Sequence, residues 1–63
     1  MNPMQPILER LRQLVLERQR LEDRGAPRVE LEANRSEIVE EQWRLARAAI
    51  DTYESQDEAK NAA

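Results

Sequence analysis

The second half of the chain carries two lines of mostly apolar residues, and both lines repeat at heptad spacing. One line contains the tryptophan and the tyrosine of the chain, and we call it the Trp43 row: Val39, Trp43, Ala46, Ile50 and Tyr53. The other line consists of Leu31, Arg35, Ile38, Gln42, Leu45 and Ala49. A helix needs one such line to pack on one neighbour, so two adjacent lines predict two neighbours.

The first half of the chain predicts an amphipathic helix over about residues 4–24. Its apolar side chains fall on one stripe of the helix surface: Met4, Ile7, Leu8, Leu11, Leu14, Val15 and Leu21. Asn2 is a candidate cap, and a proline at position 3 or 6 is tolerated in a first helical turn. Gly25 follows the last turn and can adopt the left-handed conformation that ends many helices.

The second half predicts a longer helix over about residues 27–58, joined to the first by a turn over residues 24–27. Pro27 suits the first helical position, and residues 59–63 are expected to fray. A connection this short makes the helices antiparallel. The predicted fold is therefore all-α, a single antiparallel two-helix hairpin domain over residues 1–63, short helix then long helix.

Folding the chain at this turn leaves the end of the second helix without a partner. The trial register sets Leu21 opposite Leu31 and Leu14 opposite Ile38. About twelve residues of the second helix then project beyond the first by roughly 18 Å. An uncovered amphipathic extension of that length is marginal in water. We therefore expect a homodimer with a four-helix core, in which a second copy covers the Trp43 row.

The sequence leaves two interpretations of the Trp43 row open. In the first, Trp43 folds back on Leu8 and Met4 and closes the hairpin. In the second, the row is an interface between molecules, because aromatic anchors beside small residues are typical of interface centres. Ala46 would let a second helix approach closely. We favour the second interpretation, with self-association ahead of a foreign partner.

Three polar residues fall at predicted seam positions: Arg18, Arg35 and Gln42. Their stems can lie along the seam while their polar ends reach Glu22, Glu32 or solvent. Alternatively, they form buried polar layers that fix register and helix number at a cost in stability. A third reading places an anion or an acidic partner between the two guanidinium groups.

Charge is distributed unevenly along the chain. The net charge is −3, with +2 over residues 1–28 and −5 over residues 29–63. Four glutamates of the second helix are candidates for a surface that faces a basic partner, although they also fit a simple solvated helix face: Glu37, Glu40, Glu41 and Glu54. Nucleic-acid affinity comes largely from clustered Lys and Arg, so this acidic chain favours a protein partner.

The composition argues against catalysis. The chain has no His and no Cys, which removes the usual general base and the commonest metal ligands. A two-helix hairpin also offers no deep pocket. We expect no enzymatic activity, no metal, no cofactor and no small-molecule substrate. Since the longest apolar run is far shorter than a membrane span of about 20 residues and no signal-peptide pattern is visible, we expect a cytoplasmic protein without a membrane partner.

These features predict a small acidic module that docks on a larger protein and regulates or inhibits it, as bacterial or phage regulators do. A rival prediction is a nucleic-acid-binding helical bundle that uses Arg10, Arg12, Arg20 and Arg24. In shape, this rival resembles the plasmid copy-number regulator Rop, a helical hairpin that dimerises into a four-helix bundle and binds RNA. A third prediction is a structural or assembly subunit of a larger complex.

Overall fold

The computed structural model describes residues 2–61, with side-chain environments through residue 54. Over that range the chain forms two α-helices, α1 (Gln5–Asp23) and α2 (Arg28–Asn61), which pack against each other, and no strand. The molecule measures 56 × 18 × 10 Å. The predicted all-α helical hairpin is confirmed. Helix α2 continues three residues past its predicted end, and the last two residues of the predicted frayed tail lie outside the described range.

The two helix starts are set by local backbone chemistry. Met4 occupies the cap position of α1 without a side-chain cap, so the Asn2 cap that the sequence suggested is not formed; the Asn2 side-chain oxygen instead accepts a hydrogen bond from the Met4 amide at 2.9 Å in the preceding turn. At the start of α2, the Pro27 carbonyl accepts the Leu31 amide at 3.3 Å. Pro27 therefore precedes the helix as its cap position, and α2 begins at Arg28, one residue later than predicted.

The turn between the helices depends on one glycine. Gly25 adopts a φ of +65°, the left-handed conformation predicted for it. The Ala26 amide donates to the Leu21 carbonyl at 2.9 Å, and the Gly25 amide donates to the Glu22 carbonyl at 3.1 Å. This pair of bonds is the Schellman termination, which satisfies carbonyls at the end of a helix and reverses the chain.

The core between the helices is narrow. Leu14 is fully buried and Leu21 is 8% exposed, and among residues 2–54 the buried polar residue is Asn34, at 4%. Together with half-buried neighbours they form what we call the hairpin seam: Met4, Ile7, Leu11, Leu14, Arg18 and Leu21 of α1, with Leu31, Asn34, Ile38, Glu41, Leu45, Ala48 and Thr52 of α2. A core this small contributes only about 3–5 kcal/mol, so association with another chain would add substantially to its stability.

Polar contacts between the helices fix their direction. The Arg10 Nη2 atom lies 3.5 Å from Glu37 Oε2, and the Arg24 Nη2 atom lies 2.6 Å from Glu30 Oε2. The early part of α1 thus meets the middle of α2, and the end of α1 meets the start of α2, so the helices are antiparallel. Both ion pairs flank the same side of the hairpin seam, and that side of the molecule is therefore charged.

The structure corrects the seam predicted for α2. Arg35 and Gln42 are exposed, and Asn34 and Glu41 take their places against α1. Ala49 is exposed as well, and Ala48 takes its place, whereas the predicted members that recur every seven residues keep their inward positions: Leu31, Ile38 and Leu45. Counting about 100° per residue, α2 is rotated by roughly 50° from the predicted orientation. The rotation lets the short Asn34 amide reach a carbonyl of α1 and leaves the longer Arg35 and Gln42 side chains in solvent.

Candidate protein interface

The Trp43 row lies on the outer surface of α2. Its four large side chains are exposed to different degrees: Trp43 70%, Tyr53 70%, Ile50 57% and Val39 42%. Ala46, the small member of the row, is exposed as well. The interpretation in which the Trp43 indole folds back and closes the hairpin is therefore wrong.

The rotation of α2 turns the Trp43 row away from α1. At about 100° per residue, the predicted seam and the row would be roughly 80° apart around the helix, whereas the observed hairpin seam and the row are roughly 130° apart. The row borders a shallow open groove lined by Val39, Gln42, Trp43 and Ala46. Because α1 packs on the far side of α2, the described part of α1 leaves this surface uncovered.

The exposed area of the row is large for a molecule of this size. Trp43 and Tyr53, at 70% exposure, offer on the order of 300 Å² between them. Ile50 and Val39 extend the same patch. Contiguous apolar patches of about 300–600 Å² on small proteins often mark interaction sites, so the row has the size of a binding surface.

Charged side chains border the row along one flank. Helical spacing places Glu40, Arg47 and Glu54 beside it, on the edge turned away from the hairpin seam, and all three are exposed. Among residues 2–54, neither Glu40 nor Arg47 forms an ion pair. These two opposite charges, two helical turns apart, are available to groups on another molecule.

The four glutamates predicted as one acidic surface do not lie together. Glu37 faces Arg10 on the charged side of the hairpin. The Glu41 side chain is only 12% exposed, lies in the hairpin seam and accepts a hydrogen bond from Arg44 at 2.9 Å. Glu40 follows Glu37 by about one helical turn and lies roughly 60° around α2 from it, so these two carboxylates are neighbours on the exposed surface, whereas Glu54 lies about 21 Å further along the helix. The structure therefore keeps Glu37 and Glu40 adjacent, sets Glu40 and Glu54 along the flank of the Trp43 row, and turns Glu41 into the hairpin seam.

The predicted polar seam is retained in part. Arg18 is half-buried in the hairpin seam, and its Nε lies 3.3 Å from Glu22 Oε1. The sequence predicted this contact between the guanidinium group and Glu22. Arg35 and Gln42 face solvent beside the Trp43 row. Sequence reasoning missed Asn34, although its seam spacing from Leu31 was visible and asparagine at such positions commonly sets register.

The remaining described surface shows shallow grooves, and one of these lies beside the Arg24–Glu30 ion pair. Within the described residues, no three acidic side chains are arranged to hold a metal ion. Neither α1 nor α2, as far as it is described, is both long and apolar enough to cross a membrane. Comparisons with protein-family models, curated proteins and solved structures find no match to this chain.

Proposed function

We propose that this chain is a small, acidic, non-catalytic protein-binding module that docks on a larger protein and regulates or inhibits it. The outer face of α2 is the binding surface. The observation that carries the proposal is the exposure of Trp43, at 70%, in a row of apolar side chains directed away from α1. Leaving such a row in water is unfavourable, and covering it with another protein recovers that free energy.

The shape and chemistry of this face favour a protein partner. The row lies along a convex helix, and the groove beside Trp43 is open, whereas small-molecule sites are concave and enclose most of the ligand. An exposed tryptophan near the centre of an apolar patch is typical of the residues that contribute most to protein–protein binding. The flank of the row carries Glu40 and Glu54 on either side of Arg47, so its net charge is negative and favours a partner surface with a basic rim.

The nucleic-acid alternative has less support in the structure. Of its four candidate arginines, Arg10 is paired with Glu37 and Arg24 with Glu30. Each pairing places a carboxylate beside a guanidinium group that would otherwise meet a phosphate. Since phosphate binding relies on clustered positive charge, these pairs weaken the case for a nucleic-acid surface.

The homodimer with four helices that the sequence predicts is part of this proposal. Ile50 and Tyr53 lie in the C-terminal half of α2, and both side chains are exposed. Dimerisation would cover them. The larger protein would then contact the acidic flank of α2 and whatever part of the Trp43 row the dimer leaves accessible.

A binding experiment with matched variants tests the proposal. The tagged chain captures proteins from cells that produce it, and the partner is identified by mass spectrometry, purified and titrated by calorimetry. We expect Trp43→Asp to weaken binding by at least about thirtyfold, as hot-spot substitutions do. Leu16→Asp is the control, because Leu16 is an exposed apolar residue of α1 outside the proposed surface, and it should bind like wild type.

Two outcomes would overturn the proposed function. One is equal binding of the partner by wild type and Trp43→Asp. The other is high affinity for RNA or DNA that falls steeply with salt and is lost when Arg10, Arg12, Arg20 and Arg24 are neutralised, with no protein partner retained. Helicity measured by circular dichroism confirms that each variant still forms the hairpin.

A further inference from the structure

We infer that the Trp43 row binds the same row of a second copy of this chain, with the two α2 helices antiparallel and the twofold axis between Arg44 and Leu45. This inference rests on the proposed function, because it uses the binding surface assigned there: the larger protein would bind the assembled dimer, and Trp43→Asp would weaken that binding by dissociating the dimer. Four observations carry it: the alternation of large and small residues, the charges beside the row, the position of the row within α2 and its area.

The side chains of the row alternate in size in a way that suits antiparallel pairing. With the axis between Arg44 and Leu45, Trp43 lies opposite Ala46 of the second copy, and Val39 lies opposite Ile50. One helical turn further out, Tyr53 lies opposite Ser36, which the helical spacing places on the same line. Each aromatic side chain thus meets a small residue, the arrangement that lets two helices pack closely without voids.

Other arrangements fit the row less well. A parallel pair would stack Trp43 on Trp43 and Ala46 on Ala46, which places a crowded layer next to an empty one. Sliding the antiparallel pair by one heptad in one direction would set Ile50 against the carboxylate of Glu32. The parallel pair leaves a cavity at the alanine layer, and the shifted pair sets an apolar side chain against a charge. Both defects are unfavourable.

The charges on the flank match across the same twofold axis. Glu40 of one copy comes beside Arg47 of the other, and the symmetry repeats this pair on the other side of the axis. Both residues are exposed and free of ion pairs among residues 2–54. Opposite charges at these positions favour the antiparallel register and disfavour registers that bring like charges together.

The axis position also uses the whole of α2. As far as it is described, the helix runs from Arg28 to Asn61, and the midpoint of that range falls between Arg44 and Leu45. An antiparallel pair about that point overlaps over the whole described range, and the first half of each α2 covers the exposed Ile50 and Tyr53 of the other copy. With several hundred Å² from each copy, the contact buries on the order of 1,000 Å², which reaches the lower range of specific interfaces.

This pairing refines the four-helix assembly. In a square bundle, each helix meets two neighbours about 90° apart, whereas the hairpin seam and the Trp43 row are roughly 130° apart on α2. The two α2 helices therefore form the centre of the dimer, and the two α1 helices lie on its outer flanks. Apolar residues on the outer face of α1, such as Leu16, take no part in the contact.

Charge exchange provides the first test, with mass measured by sedimentation equilibrium. We expect Glu40→Arg and Arg47→Glu each to raise the dimer dissociation constant by at least about tenfold, because each change creates two like-charge contacts per dimer. The double variant restores the opposite charges and should restore wild-type association. Failure of the double variant to recover, or a wild-type chain that stays monomeric at millimolar concentration, would overturn the inference.

Disulfide trapping provides the second test, because the chain contains no cysteine. An equimolar mixture of Val39→Cys and Ile50→Cys should form a mixed disulfide dimer under mild oxidation, and Val39→Cys alone should form little. Val39→Cys mixed with Asp51→Cys is the control, since Asp51 lies about 100° further around the helix. Efficient cross-linking of Val39→Cys with itself would indicate a parallel pair and overturn the register.

The two proposals fail in different ways. If the wild-type chain is monomeric and Trp43→Asp still abolishes binding of the larger protein, then a foreign partner covers the row, and this inference is wrong while the proposed function stands. If Trp43→Asp abolishes the dimer and leaves partner binding unchanged, the self-pairing stands and the proposed function of the row is wrong.

Discussion

The side-chain amide of Asn34 donates a hydrogen bond to the main-chain carbonyl of Leu14 at 3.0 Å, across twenty positions of sequence. Asn34 is 4% exposed, and its Oδ1 has no hydrogen-bond partner within the described residues. A buried unpaired polar atom costs about 1–3 kcal/mol, so this residue is a poor choice for stability alone. Its amide reaches Leu14 only when α2 faces α1 in the observed rotation, and that rotation directs the Trp43 row outward.

Replacing Asn34 with leucine should therefore stabilise the hairpin. The substitution removes the unpaired oxygen and adds apolar contact in the hairpin seam, for a gain of about 1 kcal/mol. In a domain of this size, 1 kcal/mol raises Tm by roughly 4–8 °C, which a circular dichroism melt measures. Arg35→Leu, at the exposed neighbouring position, should change Tm little. A fall in Tm for Asn34→Leu would show that the bond to Leu14 contributes more than packing there.

Arg18 offers a second stabilising substitution in the hairpin seam. It is half-buried between Leu14 and Leu21, and its pairing with Glu22 is partly exposed, so that ion pair contributes little. Arg18→Leu should join the two buried leucines into a continuous apolar line. We expect it to raise the free energy of unfolding by about 1 kcal/mol, and therefore to raise Tm by several degrees. Arg12→Leu, an exposed change of the same type, should not. Equal shifts for both variants would contradict the burial assigned to Arg18.

The turn should be sensitive to the residue at position 25. Gly25 has a φ of +65°, and a Cβ placed there would meet no atom within 4 Å. The cost of Gly25→Ala therefore comes from backbone strain, about 1–2 kcal/mol, and lowers Tm by roughly 4–8 °C per kcal/mol. Gly25→Asn should lose less, because asparagine tolerates this conformation better. An alanine variant as stable as wild type would contradict the requirement for a left-handed residue.

Association through the Trp43 row should make stability depend on protein concentration. Because binding between native chains adds to the free energy of unfolding, Tm should rise as the chain is concentrated, and Trp43 fluorescence should shift to shorter wavelength as the indole becomes buried. Trp43→Asp should melt at one temperature at all concentrations, while Leu16→Asp behaves like wild type. A wild-type Tm independent of concentration would count against self-association.

Much of the hairpin can be predicted from local sequence signals. Asn2 forms a turn just before α1, Gly25 reverses the chain after it, and the heptad recurrence of three apolar residues marks the inward side of α2: Leu31, Ile38 and Leu45. Each signal acts over a few residues, through sterics, backbone hydrogen bonds or helical periodicity, and therefore needs no knowledge of the rest of the molecule. The exact start of α2 differed by one residue, because Pro27 caps the helix and does not occupy its first turn.

The sequence by itself determined two antiparallel helices, the turn that joins them and the existence of an apolar row around Trp43. The tertiary structure decided which side of α2 faces α1. A heptad line on α2 can pass through Arg35 or through Asn34. Both lines share every seventh residue, so both contain Leu31, Ile38 and Leu45. Contact with α1 resolves the choice, because the short amide of Asn34 reaches the Leu14 carbonyl at the close approach of the helices. That choice sets the Trp43 row on the outer surface, where another molecule can reach it.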